Sequence, residues 1–108
     1  MSKTIVVTVP HALGKDEARR RVASEIDLLK SAYVDKFAHS EVNWTEDVAD
    51  IRVVALAQEV KAHIVVAADN VRVEILLPWI LASLAGRVES QLTTTARDTL
   101  ALPPAKKS

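Results

Sequence analysis

The sequence predicts an α+β domain: an antiparallel sheet of about five strands with two helices packed on one face, in the order β-α-β-β-β-β-α. Three observations predict it. The β-branched run "TIVVTV" stands near the start, a group of β-rich segments with short polar breaks fills the middle, and a long stretch with helical periodicity follows the proline at 78.

In "TIVVTV" (4–9), Ile5, Val7 and Val9 alternate with flanking Thr4 and Thr8, as in a strand with one buried face. After the turn-like "PHALGK", acidic Asp16 and Glu17 open a stretch in which Ala18, Val22, Ile26, Leu29 and Tyr33 recur at helical spacing, predicting an amphipathic helix to about Asp35. Val42, Trp44 and Val48 then alternate with Asn43, Thr45 and Asp47, and "DIRVVALA" and "EVKAHIVVAA" continue what looks like a meander. "ADNV" (68–71) signals a tight turn, because Asp and Asn tolerate left-handed backbone; after it Val71, Val73, Ile75 and Leu77 alternate up to Pro78. Proline suits the first turn of a helix, and from there to about Leu102 the residues Ile80, Leu81, Leu84, Val88, Leu92 and Thr95 line one side. Residues 1–102 thus form a single domain, and 103–108 read as a disordered C-terminal tail.

With 108 residues, 49% of them hydrophobic, the chain can build one core without staples. Fourteen basic and fourteen acidic side chains cancel, so no overall charge favours nucleic acid or an anionic membrane. The absence of cysteine excludes disulfides and thiolate metal sites and suits a reducing compartment. The N-terminus does not read as a signal peptide, and the nearly uncharged stretch 75–86 is too short for a transmembrane segment, so the expected location is the cytoplasm.

Catalytic, metal and cofactor sites are all expected to be absent. The glycines at 14 and 86 cannot make a phosphate-binding loop, no nucleophile elbow exists, and His11, His39 and His63 lack metal-ligand spacing. Glu25 sits at the edge of the apolar stripe of the first helix, where Arg21 four residues earlier is its expected partner. Arg19, Arg20 and Arg21 point about 100° apart on a helix and read as a solvated flank rather than a nucleic-acid patch. Trp44, in phase with Val42 and Val48, reads as core. Trp79 does not: on an α-helical wheel it falls opposite the leucines. Either it folds back over the sheet edge, or it heads a contact surface of small residues, Ala82, Ser83, Gly86 and Ser90, that could also pair two copies as a homodimer.

"HALGKDEARRRV" after a short strand, the lone Trp44 opening the meander, and "DNVRVEILLPWILASLAGRVESQL" together resemble the polyhydroxyalkanoic acid system family of small bacterial proteins, from Thr4 to Leu102. His11, Leu13, Ala18, Trp44, Val73 and Leu77 stand at matching positions, whereas 46–62 lacks the family's glycine and phenylalanine. The resemblance implies a non-enzymatic accessory or binding protein of polyhydroxyalkanoate storage-granule metabolism, whose partner is the granule or a granule-associated protein. Two other readings stay open: a helix-grip-like module holding a hydrophobic ligand between sheet and C-terminal helix, and an enzyme on hydroxyacyl intermediates using Glu25 or His63.

Overall fold

A computed structural model of the chain describes residues 2–31, 39–55 and 57–101. Its elements are β1 (Ser2–Pro10), α1 (Lys15–Leu29), β2 (His39–Thr45), β3 (Val48–Ala55), β4 (Gln58–Val66), β5 (Asn70–Pro78), a 3-10 helix (Trp79–Leu84) and α2 (Ala85–Leu100). The end of the first helix expected near Asp35 and the tail expected at 103–108 lie outside the described residues. The strands form one antiparallel sheet in the order β1-β5-β4-β3-β2, so the first strand pairs with the last and the middle three run as a meander.

Period-two alternation sorts the sheet into two faces. Ile5, Val7 and Val9 lie opposite Ile75, Val73 and Val71, and the same face continues through Ile64 and Val66 to Ala49. These residues form the core with Ala18 and Val22 of α1 and Ala85 and Leu100 of α2. Ala18 has no exposure at all, which fits α1 seated so closely that only a methyl side chain remains between helix and sheet. Val42 and Trp44 of β2 share this inner face, but Val48 does not. Thr45 and Val48 are partners across a two-residue turn, and partners share a face, so Val48 joins Thr45 on the outer side.

Positive φ occurs at Gly14 (82°), Glu46 (55°) and Ala57 (64°) among the described residues. Gly14 begins α1, where such a backbone favours glycine. The tight turn expected at 68–71 joins β4 to β5 and closes with no positive φ; Ala67 N–H donates to Asn70 O at 2.8 Å and the Asn70 amide donates to Asp69 Oδ1. Glu46 takes that conformation instead, at the β2–β3 turn, and α1 holds the turn in place. Arg19 Nε donates to Glu46 O at 2.9 Å, Lys15 Nζ lies 3.3 Å from Asp47, and the Arg19 guanidinium sits 4.2 Å above the Trp44 ring.

Arg21 ties α1 to the end of α2, donating to Thr99 O at 3.3 Å and Ala101 O at 2.7 Å while its Nε donates to Glu17 at 2.8 Å. The expected Glu25–Arg21 pair is thus replaced by Glu17–Arg21. Arg20 and then Arg21, by hydrogen bonding to the carboxylate, lower the Glu17 pKa from 4.5 to about 2. A depressed acid pKa contributes stability that is present above 4.5 and is lost as pH falls through about 2. Acid unfolding of Glu17→Gln should therefore lack part of the wild-type pH dependence in that window, and added salt should shrink the difference. Identical acid curves for the two proteins would contradict this.

The Ser40 hydroxyl on the inner face of β2 is buried without a hydrogen-bond partner among the described residues. Ser40→Ala is expected to leave stability unchanged or raise it by up to about 1 kcal/mol in urea melts, because the unmet desolvation cost disappears. A clear loss would show that the hydroxyl has a partner in solution.

Candidate functional site

Pro78 ends β5 in extended conformation, and the chain winds directly into the 3-10 helix. A 3-10 helix turns about 120° per residue, so the phase expected for a continuous α-helix is lost over 79–84. Leu81, Val88, Leu92 and Ala96 do pack on the core. Ile80 and Leu84, expected beside them, are instead exposed by 52% and 43%, and Trp79 by 68%. The tryptophan therefore does not fold back under cover. Ser83, Gly86 and Ser90 are exposed as well, but Trp79 and Ser83 belong to the 3-10 helix and Gly86 and Ser90 to α2, so no single α-helical stripe joins the four.

Two further exposed apolar residues, Val6 and Leu76, lie on the outer sheet face. Leu76 lies opposite Thr4, two residues along β1 from Val6, which makes Val6 and Leu76 diagonal neighbours. The β1/β5 edge and the turn leaving it thus present Val6, Leu76, Trp79, Ile80 and Leu84 to solvent.

Elsewhere the outer face carries Val48, Val54 and Val65 among charged and polar residues. Arg52 bridges Glu41 and Glu59, Arg72 pairs with Glu74, and His63 Nδ1 meets Asp50 Oδ1 at 2.6 Å; Glu41, Arg52, Asp50, His63 and Glu74 line a shallow concavity of about 460 Å³. Hydrogen bonding to Arg52 lowers the Glu59 pKa. His63 lies on this outer face, whereas Glu25 lies on the helix side beside Val22 and Ile26, so the two share no cleft. Among the described residues no group of three or more His, Asp or Glu side chains is placed to hold a metal ion.

The remaining singled-out residues serve structure. Leu13 N–H donates to His11 Nδ1 at 3.2 Å, which leaves Nε2–H to donate to Ala67 O at 3.0 Å; with His11 N–H to Asp69 O, the β1–α1 turn is pinned to the β4–β5 hairpin. His39 lies at the start of β2, 3.9 Å from Glu41. Arg19, Arg20 and Arg21 all find partners within the chain, two of them as tertiary clamps rather than solvated flanks.

The family model described as "putative polyhydroxyalkanoic acid system protein" matches residues 5–100, which take in both helices and all of the sheet but the first residues of β1. The chain belongs to that family. No curated protein and no solved structure matches it. In this member of the polyhydroxyalkanoic acid system family, His11, Leu13 and Trp44 anchor the fold, whereas Trp79 and Ile80 leave more than half of their surface exposed. No helix among the described residues is long and apolar enough to cross a membrane.

Proposed function

We propose that the chain is a non-enzymatic, cytoplasmic accessory protein of polyhydroxyalkanoate metabolism that docks on the storage-granule surface through Trp79, Ile80 and Leu84. The carrying observation is the 68% exposure of Trp79 on the turn that follows β5. A polyester surface is apolar with hydrogen-bond-accepting ester carbonyls. An indole suits it, since the ring removes apolar area from water while its N–H donates to a carbonyl. The family's connection with the polyhydroxyalkanoic acid system supplies the context.

The test is co-sedimentation of purified protein with washed polyhydroxybutyrate particles, with neutral liposomes as control. Wild type is expected to bind the polyester selectively and Trp79→Ala to bind weakly. Folded wild type that stays in the supernatant would overturn polymer docking and redirect the search to a granule-associated protein. A Cβ at Gly86 would meet nothing within 4 Å, so packing within one chain does not require glycine there. If the Gly86–Ser90 face pairs two copies instead, equilibrium sedimentation should show a dimer.

A further inference from the structure

Between α1, α2 and the sheet lies a gap of about 100 Å³ whose walls include Val22, Ile26 and Leu29 of α1, Leu92 and Ala96 of α2, and Val73 of β5. The gap is open to solvent on one side, where Leu29 is exposed, and its apolar walls offer water few partners. It is also far below the roughly 300–1,000 Å³ of sites that hold drug-sized ligands, so a long lipid does not fit. A few methylene groups do.

The gap opens toward a second, polar hollow of about 280 Å³ lined by Glu25, Thr95, Asp98 and Thr99, three of which also line the gap. The Thr99 hydroxyl already donates to Thr95 O at 2.8 Å, so toward a ligand its oxygen can only accept. Glu25 and Asp98 are the two charges lining the hollow. The neighbouring Arg21 is engaged by Glu17 and by the carbonyls of Thr99 and Ala101 and lines neither space. An apolar slot thus leads to a mouth that is acidic and rich in acceptors.

We propose that this gap binds a short alkyl chain carrying a cationic head, a primary alkylammonium, with the tail between the helices and the head between Glu25 and Asp98. The site is independent of polyester docking, because it lies on the inner side of the sheet and shares no residue with the Trp79 group.

The experiment is an NMR titration of isotope-labelled full chain at neutral pH with n-butylammonium, n-butanol and butyrate. Saturable methyl shifts are expected at Val22, Ile26, Val73, Leu92 and Ala96, with butylammonium binding roughly threefold tighter than butanol, as expected of a solvent-accessible ion pair, and butyrate weakest. Glu25→Gln should reduce the preference for the ammonium while leaving butanol binding intact. Ala96→Leu should abolish binding of all three; if it fails to fold, Val22→Ile, which adds a single methylene, should weaken them. Butyrate binding as tightly as butylammonium would overturn the proposal. So would the absence of saturable shifts, or undiminished binding by a folded gap-filling variant.

Discussion

Trp44→Ala is expected to destabilise the protein by about 2–3 kcal/mol in urea unfolding, more than any other single truncation on the β2–β3 side of the sheet. A fully buried tryptophan costs about 3–5 kcal/mol when cut to alanine, and Trp44 is only partly buried, packed against the core by one side of its ring. The Arg19 guanidinium covers the ring at 4.2 Å. Because Arg19 also donates to Glu46 O, Arg19→Ala removes both the cation over the indole and the hold on a left-handed, non-glycine turn residue. That variant should lose about 1–1.5 kcal/mol. The double variant should lose less than the sum, with a coupling of about 0.5–1 kcal/mol, since the cation–π contact can be lost only once. Strict additivity would show that Arg19 acts on the turn alone and that the ring contact contributes nothing in solution.

The strands with one buried face were legible because alternation survives wherever a single face meets the core. Ile5, Val7 and Val9 and the run from Val71 to Leu77 follow it without a slip. Alternation fails as a guide across a hairpin turn. The β2–β3 turn carries no glycine or asparagine to mark it, so the pattern reads from Trp44 to Val48 as though the strand continued, whereas the two-residue reversal at Glu46 and Asp47 moves Val48 to the outer face. Asp69 and Asn70 did mark the β4–β5 turn, because their side chains permit left-handed backbone, although the hairpin closes with no positive φ there.

Ion pairs were less legible still. Spacing alone allows Arg21 to reach Glu17 or Glu25, both four residues away, and the choice falls to the carbonyls of Thr99 and Ala101, which draw the guanidinium toward Glu17 and the end of α2. No local pattern reports a partner 78 or 80 residues distant. At the candidate surface, the sequence singled out Trp79 because it opposed the leucines on an α-helical wheel. It missed Ile80 and Leu84, since nothing between Pro78 and Ala85 announces the tighter 3-10 winding that turns them outward. It missed Val6 and Leu76 too, where a single apolar residue on the solvent side of a strand carries no signal until the register brings the two together.

Replacing Trp79, Ile80 and Leu84 together by alanine is expected to cut polyester binding at least a hundredfold while shifting the urea midpoint very little. A tryptophan side chain can bury roughly 150–250 Å² in a contact. With two-thirds of Trp79 free in the unbound protein, docking can remove roughly 100–150 Å² of it from water, which at about 25 cal/mol per Å² is about 3 kcal/mol. Part of that area stays wet on a rough polymer surface, so about 2 kcal/mol, or roughly thirtyfold, is the expected loss for Trp79→Ala alone. Ile80 and Leu84, about half exposed, add about 0.5–1 kcal/mol each. The cost of immobilising the protein is common to wild type and variant and drops out of the comparison. Stability responds differently because Trp79 is mostly in water before docking and Ile80 and Leu84 are about half exposed, so each truncation removes little packing, and surface substitutions usually fall within about 0.5 kcal/mol. Binding lost together with a large fall in the urea midpoint would mean that the turn supports the core, leaving no case for a docking surface. Binding unchanged at unchanged stability would move the contact elsewhere, and the polar outer face around Asp50 and His63 would then be the next surface to substitute.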